Sequence, residues 1–193
     1  MKNVGLALLV AIALGAGLLY LQRDASPARP PVTGAVNAPD AAKVDPAPYL
    51  SAFPLTPLAA PPIQGASPAA RALENALGPY RKGDYAAAAS ALDGVRLDHP
   101  GSDVDAMAAL YLGIARLFID EPQNAVEILR TLPPDATPEV TGEAAWYGLV
   151  GIARLRDPSG VELEAKTLCE SALPTGPRAC AALETLARSR SRT

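Results

Sequence analysis

Aromatic residues are scarce in this chain: two Phe, one Trp and six Tyr among 193 residues, with a single His and two Cys. Two Cys and one His cannot supply the ligand number and spacing of a zinc site. No Gly-rich phosphate loop, nucleophile elbow or paired-His motif is present. His99 precedes Pro100 at a helix end, where it can meet the C-terminal dipole, and no neighbouring residue marks it as a catalytic group. The expectation is therefore a protein that is not an enzyme, with no catalytic residue, cofactor or metal. A basic excess is also lacking. The net charge is −3, and from position 68 onward thirteen Lys and Arg face seventeen Asp and Glu, which leaves no electrostatic footprint for nucleic acid. Val, Ile and Thr never fall into a period-two run, so no sheet is expected and the fold class is all-α.

What is present divides into three parts. Residues 1–23 contain an uncharged run from Val4 to Leu21 whose one polar group is the Tyr20 hydroxyl. At about 1.5 Å per residue a helix of this length spans ~27 Å, close to the ~30 Å hydrocarbon core of a bilayer. A transmembrane signal-anchor is expected, with its N-terminus inside. Small residues at Ala7, Ala11 and Gly15 recur every fourth position and form a packing face for another transmembrane helix. The other reading is a secretory signal cleaved near Ala16 or Ala28. No Cys follows the apolar run, which excludes a lipoprotein signal.

Residues 24–67 hold most of the stretch from Pro27 to Pro68 that carries eleven of the twenty prolines. Proline lacks the amide donor and restricts the residue before it, so this part is expected to be an extended tether without helix. Within it, Tyr49, Phe53, Leu55 and Leu58 are more apolar than a spacer requires. They read as a docking motif, for a partner or for the chain's own domain.

Residues 68–193 read as helices joined by short loops. Ser67 before Pro68 and Thr137 before Pro138 are N-caps followed by proline at the first helical position. Asp84, Pro122 and Asp157-Pro158 open further helices, and His99-Pro100-Gly101, Leu132-Pro133-Pro134 and Leu173-Pro174 close them. A last helix follows Gly176-Pro177. Short loops make successive helices antiparallel. Cys169 and Cys180 flank the Pro174-Thr175 turn at matching distances, a placement that permits a disulfide if their Cβ vectors converge. The other reading is two buried thiols.

Gly113-Ile114-Ala115-Arg116-Leu117 returns unchanged as Gly151-Ile152-Ala153-Arg154-Leu155, thirty-eight positions on, and a weaker copy lies at Leu77-Gly78-Pro79-Tyr80-Arg81. A period in this range marks stacked helical hairpins, of which about three are needed to bury a core. Glycine inside a helix costs about 1 kcal/mol relative to Ala, so its recurrence suggests close helix–helix approach. Arg81, Arg116 and Arg154 recur with it, either as a ladder for an anionic segment or, as expected here, covering apolar surface and pairing with acids. Pro79 should kink or shorten its helix.

Several offsets carry a family resemblance. Gly83-Asp84-Tyr85 with Ala88, Leu92 and Pro100, then Leu112-Gly113 with Ala125 and Leu129, then Trp146, Tyr147 and Gly151, fit the turn, small, large and terminal-proline positions of a repeat. Over roughly Arg71 to Leu173 the chain resembles tetratricopeptide-repeat proteins. The resemblance implies about three repeats plus a capping helix and a groove lined by the first helix of each hairpin. It makes Met107, Leu110, Ile114, Phe118 and Ile152 the groove candidates. The expected function is a membrane-anchored scaffold or accessory subunit of a larger assembly in a bacterial inner membrane. Its partners would be the lipid bilayer and other subunits, and its helical domain would be periplasmic. The alternative is a cleaved periplasmic adaptor that captures peptides transiently.

Overall fold

The computed structural model describes residues 45–191, so the expected membrane anchor at 1–23, with Ala7, Ala11 and Gly15, and the first half of the tether lie outside the described residues. Among the described residues there are eight helices and no strand. They are α1 (Ala47–Ala52), α2 (Pro68–Arg81), α3 (Tyr85–Asp98), α4 (Asp105–Phe118), α5 (Pro122–Arg130), α6 (Pro138–Arg154), α7 (Pro158–Cys169) and α8 (Gly176–Arg190). None of them is long and apolar enough to cross a membrane. The all-α expectation thus holds for this part of the chain.

The helix starts follow local chemistry. The hydroxyls of Ser67 and Thr137 accept from the amides of Ala70 and Val140, and the Asp84 and Asp157 carboxylates accept from Ala87 and Gly160. Each satisfies an amide that the first turn leaves without an intrahelical partner. Pro68, Pro122, Pro138, Pro158 and Pro177 all stand in first turns, where a missing N–H removes nothing. Pro79 is absorbed in the last turn of α2 rather than ending it early.

The three hairpins α2–α3, α4–α5 and α6–α7 share one three-residue turn. Its middle residue is left-handed: Gly83 at φ 79°, Asp120 at φ 61° and Arg156 at φ 58°. The next residue donates its amide to a carbonyl five positions back, from Asp84 to Pro79, Glu121 to Arg116 and Asp157 to Ile152, at 3.0, 2.9 and 3.5 Å. This closure satisfies carbonyls that the helix end would leave open. The turn residues recur at 83, 120 and 156, steps of 37 and 36.

That register corrects the reading of the repeated pentapeptide. Gly113 stands seven residues before its left-handed turn residue and Gly151 only five. The two copies therefore face different neighbours. A Cβ on Gly113 would lie 2.5 Å from Leu129 Cγ, on the second helix of its own hairpin. One on Gly151 would lie 2.6 Å from Val126 Cγ2, on the second helix of the hairpin before. Both glycines hold α5 tightly, one from each side. Gly78 does neither, since a Cβ there would meet nothing within 4 Å. The arginines do not form a ladder either. Arg81 pairs with Glu74, Arg116 bridges Asp93 and Glu121, and Arg154 ends α6 half-buried.

The first helices α2, α4 and α6 lie side by side, with α3, α5 and α7 packed behind them. Cys169 at the end of α7 is bonded to Cys180 in α8, with 4.8 Å between the Cα atoms. The tether expectation changes most. Ala47–Ala52 form a short helix where none was expected, because Pro46 caps its start and Pro48 stands in its first turn, where no amide is needed. α1 packs on α8 and α6, and the residues after it run across the first helices instead of extending into solvent.

Gly113→Ala should lower stability by about 1–3 kcal/mol, because the new methyl overlaps the buried Leu129 side chain. Gly78→Ala, with open space around it, should raise stability by up to about 1 kcal/mol. Chemical denaturation of both variants checks this; equal effects would contradict the register.

Candidate functional site

Most of the aromatics among the described residues converge on one face. Tyr80 of α2, Tyr111 of α4, and Trp146 and Tyr147 of α6 are all buried. Tyr80 meets Tyr85 and Tyr111 edge-on at 5.3 and 5.0 Å, and Tyr85 stacks on Phe118 at 4.1 Å. Across this face lies a strap, residues 53–63. Phe53 is wholly buried and packs on Trp146 at 5.6 Å between ring centroids, while Leu55, Leu58, Ala60 and Ile63 pack half-buried against the core. The prolines at 54, 57, 61 and 62 point outward and are exposed or nearly so.

The hydrogen bonds that hold the strap go to its backbone. Tyr147 Oη donates to the Thr56 carbonyl at 2.7 Å and Tyr111 Oη to the Ala59 carbonyl at 2.9 Å. The Arg81 guanidinium donates to the carbonyls of Ala60 and Pro61 at 3.4 and 2.8 Å. In return the Ile63 amide donates to Glu74 Oε2 at 2.8 Å. Four carbonyls accept and one amide donates, a pattern that a proline-rich segment can meet. The N-terminal end is fixed by a side-chain cluster: Tyr49 Oη donates to Glu162 Oε1 at 2.8 Å, and Arg190 of α8 contacts both.

Each of these bonds is worth about 0.5–1.5 kcal/mol net, and burying Phe53 about 1.5–3 kcal/mol. Ordering each strap residue costs about 1–2 kcal/mol of backbone entropy, less at the prolines, whose φ is already restricted. These contacts offset part of that cost and the half-buried Leu55, Leu58 and Ile63 the rest, so the strap is lightly held on a firmly packed face.

The electrostatics follow from the contacts. The hydrogen bond from Arg81, with that from Ile63, holds the Glu74 carboxyl down at about 2. Burial, reinforced by the neighbouring Tyr147 and Glu143, pushes the Tyr111 phenol up to about 12. Burial also raises Tyr80 and Tyr147. These hydroxyls stay protonated throughout the physiological range, and those of Tyr111 and Tyr147 act as donors.

The structure brings together Tyr49, Phe53, Leu55 and Leu58 and seats them on the chain's own domain. It does not assemble the expected groove. Met107 and Leu110 line one small concavity beside Leu58 and Tyr111, but Ile114 and Ile152 are buried between helices and Phe118 is stacked under Tyr85. The residues that meet the strap are Glu74, Tyr80, Arg81, Tyr111 and Tyr147, which the apolar pattern passed over. The signal that finds the tyrosines is the concentration of scarce aromatics in the first helices; none marks Glu74. A second concavity of about 510 Å³ opens among α5, α6 and α7, lined by Leu129, Ala144, Leu149, Leu163 and Leu168. Among the described residues no cluster of His, Cys, Asp and Glu is arranged to hold a metal ion.

The raised Tyr111 value has a stability consequence. Its folded value lies above the free phenol's value of about 10, so its contribution is fully present below pH 10 and is lost as pH rises through about 12. The absorbance difference at 295 nm between wild type and Tyr111→Phe should therefore rise with a midpoint near pH 12. A midpoint near 10 would show that the hydroxyl is open to water and the strap unseated.

No family model, curated protein or solved structure matches the chain, so the tetratricopeptide resemblance rests on the residues quoted for it.

Proposed function

We propose that this chain is a non-catalytic, membrane-anchored scaffold or accessory subunit, in which a tetratricopeptide-like array holds another protein of a bacterial inner-membrane assembly. The observation that carries this reading is the grip of the first-helix face on an extended length of chain, made through backbone carbonyls. A surface that holds main chain in this way is suited to protein ligands. The uncharged run from Val4 to Leu21 supports a membrane anchor. The Cys169–Cys180 bond supports an oxidising compartment, hence a periplasmic array.

The test is made on the full chain in a bacterial host. The protein should stay with membranes through an alkaline wash, and protease should reach the array in spheroplasts with the inner membrane intact. Cys169 and Cys180 should resist thiol labelling until a reductant is added. After gentle detergent extraction a second protein should co-purify in fixed stoichiometry. A soluble product with a new N-terminus near Gly17 or Ala28 would replace this reading with the cleaved periplasmic adaptor. A lone monomer in detergent would sink the subunit reading.

The disulfide adds a second check. Closing so short a loop contributes about 3 kcal/mol in the chain-entropy model. Cys180→Ser should lower the thermal midpoint by about 5–10 °C, and reductant should then have no further effect.

A further inference from the structure

The strap sits on the first-helix face as a ligand would. The groups that meet it are periodic. Glu74, Tyr111 and Tyr147 each stand nine residues before the left-handed residue of their hairpin turn, Gly83, Asp120 and Arg156. They contact the strap at Ile63, Ala59 and Thr56. One hairpin therefore reads three or four residues of chain, and the chain runs opposite to the order of the hairpins.

The strap is also an incomplete occupant. Tyr80 Oη meets the Leu58 backbone amide but gives its own proton to no acceptor among the described residues, and Trp146 Nε1, on the ring under Phe53, is buried with no hydrogen-bond partner among them. Their residues are only 4 % and 2 % exposed. A buried donor without an acceptor keeps its desolvation penalty. A chain that places a carbonyl against either one would therefore fit better than the strap does.

We propose that this face binds in trans an extended, proline-containing segment of a partner protein, which takes the track of residues 53–63. The inference rests on reading the array as a protein-interaction module and names the ligand class of its face. The chemistry comes from the donors and acceptors present. Tyr111, Tyr147, Arg81, Tyr80 and Trp146 offer donors, and Glu74 offers an acceptor. Such a face favours a chain rich in free carbonyls and poor in amides, which is what proline provides. The Phe53 site takes a large apolar side chain and the Leu58 site a second, five residues on. The strap is the internal competitor. It joins α2 through the exposed residues Gln64, Gly65 and Ala66, so it can leave the face while α2 stays folded.

The probe is a fluorescent synthetic peptide of residues 49–63, titrated by anisotropy against the purified full chain in detergent. Wild type should bind it weakly, because the tethered strap competes at high effective concentration. Leu58→Ala and Phe53→Ala, which weaken the competitor and leave the donors in place, should each bind it at least tenfold more tightly. Adding Tyr111→Phe or Tyr147→Phe to Leu58→Ala should cost about fivefold each, one hydrogen bond apiece. A peptide with its four prolines replaced by alanine should bind more weakly than the parent. The proposal is overturned if neither strap variant binds the peptide at millimolar concentration while both keep wild-type helical circular dichroism. It is also overturned if loss of both tyrosine hydroxyls leaves affinity unchanged. Conversion of the Leu58→Ala chain into dimers that exchange straps would replace the partner with a second copy. These measurements need no membrane and no co-purifying subunit, so they succeed or fail independently of the cellular reading.

Discussion

One apolar face has to be covered. Stacked hairpins bury the outer side of each first helix against the second helices, but the inner side remains, and here it carries Tyr80, Tyr111, Trp146 and Tyr147. Aromatic rings of this size left open to water would forfeit much of the burial that makes so Ala-rich an array stable. The chain solves this with its own preceding residues. Phe53 closes over Trp146, and the main chain up to Ile63 caps the hydroxyls in turn.

The hairpins were legible because their signals are local. Ser67, Thr137, Asp84 and Asp157 cap the helices they precede, and proline marks five first turns. The approach of Cys169 to Cys180 was readable from their distances to one turn. The register was harder. The repeated Gly-Ile-Ala-Arg-Leu draws attention to itself, yet its copies sit two residues apart relative to the turns. The residues that set the period, Gly83, Asp120 and Arg156, share a backbone conformation and no side-chain type. Sequence identity is a poor guide where conformation is what repeats.

The strap was only half legible. Tyr49, Phe53, Leu55 and Leu58 stood out as too apolar for a spacer, but composition could not say what they cover. Two effects misled the reading. Proline density suggested that no helix could form, although Pro46 and Pro48 at a helix start cost it nothing. The groove was also sought among aliphatic residues, and Ile114 and Ile152 went to the interior. The face itself is made of phenols and an arginine, whose polar tips matter as much as their apolar bodies.

The site of Tyr49 has a mechanical consequence. Within the described residues the chain enters the array through α1, so tension applied at Asp45 loads the Tyr49–Glu162–Arg190 cluster first. Beyond it the attachments lie in series, Phe53 and Thr56 on α6, then Ala59 on α4 and Pro61 on α2. A pull would undo them one at a time, as a zip opens, while the hairpins behind remained folded. The segment is thus a graded coupling between the chain at Asp45 and the surface it shields.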